Sequence, residues 1–157
     1  MKESGRILIV DDDKNILKTF TTVLRDAGYT VETAENGMDA IKKANANFYN
    51  LALIDIRLPD MEGTELLTAL PATTPKMAKV IVTGYPSLQN AVQAVNKGAD
   101  GYIIKPVKTE DLLKTIREQL RKQQEAEQYS ERKFMEFIET RVKKTDNQAE
   151  SSEKKDR

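Results

Sequence analysis

The sequence predicts an α/β fold, (βα)5, with a doubly wound five-stranded parallel sheet and an extended C-terminal helix. Three observations carry this. Short apolar runs alternate with helix-period segments five times over; four of the runs are continuously apolar, as strands covered on both faces are; and no Cys is available to staple any smaller scaffold. Right-handed crossovers between successive parallel strands then place helices on both faces.

In chain order, Ile7-Leu8-Ile9-Val10 is the first strand. Asp13 caps the helix that follows, in which Ile16, Leu17, Phe20, Val23 and Leu24 recur at helical spacing before a stop at Gly28. The second strand, near Val31-Glu32-Thr33, is weak, and Met38, Ile41 and Ala44 mark a short second helix. Leu51-Ala52-Leu53-Ile54 is the third strand, followed by a helix on Leu66, Leu67 and Leu70 that Pro71 closes. Val80-Ile81-Val82 is the fourth. Ser87 caps its helix, which carries Leu88, Ala91, Val92 and Val95 and ends near Gly98. Tyr102-Ile103-Ile104 is the fifth strand. Thr109 caps the last helix, with Glu110 and Asp111 suited to the positive end of its dipole and Leu112, Leu113, Ile116 and Leu120 forming its apolar stripe.

Composition divides the 157 residues unevenly. Residues 121–157 hold 8 apolar residues against 10 Lys/Arg and 9 Asp/Glu, too few to build a core. No Gly or Pro follows Val107, so the fifth helix is expected to run on to about Lys144. The expected organisation is a domain over 1–120, a helical extension over 121–144 and a disordered tail over 145–157. Phe134, Phe137, Ile138 and Val142 gather on one side of the extension. Three readings of it stay open: a helix for dimerising or docking a downstream protein, a segment folded back on the domain, or a largely disordered tail.

Several functions are excluded at once. With no His and no Cys, imidazole and thiol catalysis and His- or Cys-based metal sites are absent. No apolar run is long enough for a membrane span, and MKESGR lacks the core of a signal peptide, so no membrane insertion and a cytoplasmic location are expected. A formal net charge of +0 gives no pull toward nucleic acid, and the tail is too short for a winged-helix domain; direct DNA binding is not expected.

Ligands of open α/β sheets bind beyond the carboxyl ends of the strands. There the sequence places Asp11, Asp12 and Asp13 after the first run, Asp55 after the third, Thr83 after the fourth and Lys105-Pro106 after the fifth. Adjacent carboxylates resist joint ionisation unless a cation intervenes, and with only oxygen ligands on offer that cation is Mg²⁺. Lys105 supplies a charge to pair with Asp55 and to attract a phosphoryl group.

ILIVDDDKNI, LALIDIRLPDMEG, VIVTGY and GADGYIIKPV, in this order and each closing a strand, resemble the receiver domain of two-component response regulators, the CheY-like family on the flavodoxin-type topology. The resemblance covers residues 6 to about 120. It implies that Asp55 is the phosphoacceptor, that Asp11, Asp12, Asp55 and the backbone carbonyl of Arg57 hold Mg²⁺, and that Thr83 and Lys105 contact the phosphoryl oxygens. Tyr102 falls where the family has its switch aromatic. The phosphodonor would be a sensor histidine kinase or a phosphotransfer protein, and the chain would be a stand-alone signalling switch whose only catalysis is its own phosphorylation and dephosphorylation. Its output would go to a homodimer or a downstream protein through the C-terminal helix.

Two rivals share parts of this pattern. A haloacid-dehalogenase-like phosphatase also uses Asp, Thr, Lys and Mg²⁺, but in a D-x-D segment; here Arg57 stands two residues after Asp55. A flavodoxin-like FMN module needs a Ser/Thr/Gly-rich phosphate loop after the first strand, where this chain has three Asp.

Overall fold

The computed structural model describes residues 4–155. Ten elements alternate as β1 (Arg6–Val10), α1 (Lys14–Ala27), β2 (Thr30–Ala34), α2 (Gly37–Ala46), β3 (Leu51–Asp55), α3 (Gly63–Ala69), β4 (Ala78–Thr83), α4 (Leu88–Asn96), β5 (Gly101–Ile104) and α5 (Thr109–Lys155). All strand pairings are parallel, in the order β2-β1-β3-β4-β5. The (βα)5 expectation is met.

Alternate side chains of each central strand feed two cores. Leu8, Val10, Ala52 and Ile54 join Ala40 and Ala44 of α2, Leu66 and Leu67 of α3 and Ala94 of α4. Ile7, Ile9, Leu51 and Leu53 join Leu17, Phe20 and Leu24 of α1 and Leu112 and Ile116 of α5. Burying each Leu, Ile, Val or Phe side chain of these two sets contributes about 1.5–3 kcal/mol. That is why β1 and β3 read as unbroken apolar runs: neither face meets water.

Edge strands behave differently. β2 buries only Val31 and Ala34 and leaves its other three residues partly or fully exposed, which explains its weak signal. At this edge the Tyr49 hydroxyl, in a fully buried ring, donates to Glu32 at 2.5 Å, and Arg6 pairs with the same carboxylate at 2.6 Å. β5 corrects the reading of four doubly covered strands. It is the other edge, no residue in it is fully buried, and Ile104 is half-exposed.

The helix caps follow from local chemistry. Asp13 accepts from the backbone N–H groups of Asn15 and Ile16, and Gly28 takes φ 110° at the end of α1, a left-handed geometry that a side chain disfavours. Ser87 and Asn90 form a reciprocal capping box on α4. Yet Leu88 is 82% and Val95 68% exposed, and only Ala94 of that helix is buried, so its apolar period does not point to the core.

The chain divides after Gln123 into two units. The first contains the whole sheet. Within it Gln123 donates to the carbonyls of Asn50 and Lys76, at 2.9 and 2.6 Å. The second is helical as far as it is described, past the Lys144 at which the sequence reading ends the helix, through a stretch with no Gly or Pro to break it. Of the expected disordered tail, residues 156–157 lie outside the described residues.

Candidate functional site

β1 pairs with β2 on one side and β3 on the other, so the chain direction of the connections reverses between β1 and β3 and opens a crevice at their carboxyl ends. Asp11 leaves β1 at this point and Asp55 ends β3. Asp11 is buried, Asp12 is exposed and Asp55 lies between. One oxygen from each of the three carboxylates lies within 4.8 Å of the others.

Lys105, directly after β5, reaches across to this group. Its Nζ donates to Asp11 Oδ2 at 2.7 Å and lies 3.6 Å from Asp55 Oδ2. Burial works against the ammonium, but the hydrogen bond to Asp11 and the charges of Asp11 and Asp55 outweigh it and hold Lys105 above the ordinary lysine range. Asp55 responds in the opposite sense. Burial and then the Asp11 charge push its carboxyl up to about 6, against the pull of Lys105 and of the Arg57 N–H. One ammonium therefore does not neutralise three carboxylates. All the donors are hard oxygens and one negative charge remains poorly balanced, so a small divalent cation such as Mg²⁺ fits this donor set.

Thr83 ends β4 and is completely buried. Its Oγ1 accepts from the Tyr85 N–H at 3.0 Å, which leaves the hydroxyl proton available to another acceptor. Its carbonyl accepts from the Lys105 N–H at 2.8 Å, locking β4 and β5 together at this edge. Tyr102 is half-buried against the core on the α4 side, and its hydroxyl donates to Asn90 Oδ1 at 2.5 Å. The same Asn90 caps α4 and donates to the Tyr85 carbonyl. The predicted residues Asp11, Asp12, Asp55 and Lys105 are thus brought together, with Thr83 on the neighbouring strand and Tyr102 further along β5.

Four features escape sequence reasoning. The Arg57 guanidinium lies 4.1 Å from the centroid of the Tyr85 ring, bridging the loops after β3 and β4. Asp60 accepts from the N–H groups of Gly37 and Met38 at the start of α2, and these bonds, Gly37 first, hold its carboxyl below the usual range. Gly63 lies so close to the Asp55 backbone that a Cβ there would be 2.1 Å from the Asp55 carbonyl oxygen. Asn90 joins Tyr102 to the α4 cap. Only the Gly after the Pro-Asp turn has a local signal; the other three depend on partners far away in the chain.

The model of the response regulator receiver domain matches residues 7–117. The transcriptional regulatory protein ZraR of Klebsiella oxytoca is 37% identical over 118 residues, which are 75% of this chain and 27% of that protein. The chain therefore spans about a quarter of the length of this curated relative. Among solved structures, a CheY-like response regulator receiver domain protein from Methanospirillum hungatei JF-1 is 49% identical with a TM-score of 0.75, over 79% of this chain and 99% of that one. A Burkholderia pseudomallei response regulator, solved with a phosphorylated aspartic acid, calcium ion and citrate, is 34% identical with a TM-score of 0.65, over 69% of this chain and 64% of that one. Among the described residues no helix is long and apolar enough to cross a membrane.

Proposed function

This chain belongs to the response regulator receiver family, and from that premise we propose that Asp55 is its phosphoacceptor, charged by a phosphohistidine on a sensor histidine kinase or phosphotransfer protein. As a receiver of a two-component system it is a signalling switch. The observation that carries the assignment is the Lys105 ammonium seated between Asp11 and Asp55 within a three-carboxylate cluster. The phosphorylated aspartic acid and calcium ion of the Burkholderia relative support it.

In this reading a carboxylate oxygen of Asp55 attacks phosphorus. The P–N bond of the donor breaks with its electron pair passing to the imidazole, and a P–O bond forms, giving an acyl phosphate. Such transfer needs chiefly alignment and charge neutralisation. Burial helps by stripping water from the Asp55 carboxylate, which near neutral pH is still largely ionised. Lys105 neutralises the phosphoryl oxygens, and the Thr83 hydroxyl donates to one of them. Asp11, Asp12, Asp55 and the Arg57 carbonyl would hold Mg²⁺, which when bound offsets the remaining negative charge. Drawing Thr83 toward the phosphoryl group makes room for Tyr102 to turn inward. That breaks its bond to Asn90 and loosens the α4 cap, altering the exposed face of α4.

The output acts through that face and through the helix beyond Gln123, toward a second copy or a downstream protein, in the cytoplasm. The phosphatase alternative gains nothing, because the position of its second carboxylate is held by Arg57, stacked on Tyr85. Incubation with Mg²⁺ and acetyl phosphate tests the reading by intact mass. The expected result is one phosphoryl group per chain, lost again by slow hydrolysis. No gain with Mg²⁺, or multiple turnover of a phosphomonoester, would overturn it.

The Arg57–Tyr85 pair shields the acyl phosphate from water. A cation–π contact at an exposed site contributes about 0.5–1 kcal/mol, so Tyr85→Ala should speed hydrolysis about two- to five-fold. The decay of phosphorylated protein after donor removal measures this, and an unchanged decay rate would remove the pair from the mechanism.

A further inference from the structure

The helix beyond Gln123 carries large apolar side chains in water: Phe134 is 62% and Phe137 57% exposed, with Met135, Ile138 and Val142 also exposed. Such a patch on a solvated helix indicates a covering partner. Its flanking charges identify that partner. Residues 124–131 carry Glu125, Glu127 and Glu131 and no cation, whereas residues 141–144 carry Arg141, Lys143 and Lys144 and no acid. We infer that this segment of α5 pairs with the same segment of a second copy, antiparallel, as a short two-helix coiled coil.

Charge selects the register among the heptad seams that the spacing allows. Positions 127, 131, 134, 138, 141 and 145 recur at alternating steps of four and three, the heptad seam of a helix pair. With the two-fold axis at residue 136, Phe134 of one chain meets Ile138 of the other, twice. Glu131 meets Arg141 in the layer outside each apolar pair, and Glu127 meets Thr145 beyond that. Met135 and Phe137 lie on the two flanks of the seam near the axis, each beside its own counterpart. The parallel alternative sets Glu131 against Glu131 and Arg141 against Arg141, like charges within a largely buried seam, and is disfavoured. A body surface or an unrelated partner has no reason to match a charge reversal internal to this helix.

The test reads assembly of the unphosphorylated chain and involves no phosphoryl transfer, so this pairing and the Asp55 reading fail separately. The test is sedimentation equilibrium of the full chain across a concentration series, for the native sequence, E131R, R141E and E131R/R141E. Both positions are exposed, and circular dichroism of each variant should show the native helix content. The native chain should be dimeric. Each single reversal places like charges opposite one another in two layers and should raise the dimer Kd by at least about tenfold. The double reversal restores every opposite-charge pair in the antiparallel register and should return the Kd to near the native value. In a parallel register, or in a dimer formed elsewhere on the chain, the double reversal rescues nothing. A monomeric native chain, single variants that dimerise normally, or a double variant that stays monomeric would each overturn the antiparallel pair.

Discussion

Asp55→Asn is expected to take no phosphoryl group from acetyl phosphate and Mg²⁺, while the Mg²⁺-free protein becomes more stable. The loss is chemical: an amide oxygen does not displace imidazole or acetate from phosphorus. The gain is electrostatic. Burial and Asp11 raise the Asp55 carboxyl to about 6, so the folded chain binds more protons than the unfolded chain between the unperturbed carboxylate range and that value. Stability tied to this group is therefore fully present at low pH and is lost as pH rises through about 6. At pH 7 the native carboxylate carries the whole cost, about 3 kcal/mol before solvent screening of this partly exposed group reduces it, and Asn carries none. Thermal unfolding of both proteins without Mg²⁺ should show the variant ahead at pH 7 and the difference closing below about pH 4. A variant that is less stable at pH 7, or that still takes up label, contradicts the assignment of Asp55.

Gly63→Ala is expected to damage fold and site together. The added Cβ would lie 2.1 Å from the Asp55 carbonyl oxygen and 2.9 Å from Ile56 Cα, and both are backbone atoms that cannot rotate away. The same approach places the Gly63 N–H 2.6 Å from the Ile56 carbonyl. Relief requires moving the end of β3, which carries the proposed phosphoacceptor. Overpacking of this kind costs on the order of 3 kcal/mol, and a displacement of about 1 Å at a reacting group lowers rates about 100-fold. Urea midpoints and the initial rate of mass gain measure the two effects. Gly84→Ala is the contrast, because its nearest neighbour would be Lys105 Cδ at 3.9 Å, an ordinary contact. Its stability should change by less than about 0.5 kcal/mol.

The proposed reacting groups were legible because parallel strands all point their carboxyl ends the same way. Once Ile7–Val10, Leu51–Ile54, Val80–Val82 and Tyr102–Ile104 are read as successive strands of one parallel sheet, Asp11, Asp55, Thr83 and Lys105 must share an edge. Adjacency at an edge is topology, and topology follows from the order of apolar runs. Their energetic state is not. Lys105 bonds Asp11 more closely than Asp55, and burial and then the Asp11 charge displace the Asp55 carboxyl upward against the pull of Lys105.

Hydrophobic period shows where a helix forms but not what covers it. Leu88, Val92 and Val95 have the spacing of a core-facing stripe, yet they remain exposed because α4 rests on the sheet through Ala94, whose small side chain allows a close approach. Asp60 looks like any turn carboxylate until its partners, the Gly37 and Met38 amides, are placed beside it by the packing of α2 against α3. The sequence by itself determined the ten elements, their alternation along the chain and the residues on the working edge of the sheet, because these depend on local periodicity and chain direction. The tertiary structure alone decided which of those residues pair, how tightly Gly63 seats Asp55 and which apolar faces stay in water, because each depends on distances between segments far apart in the chain.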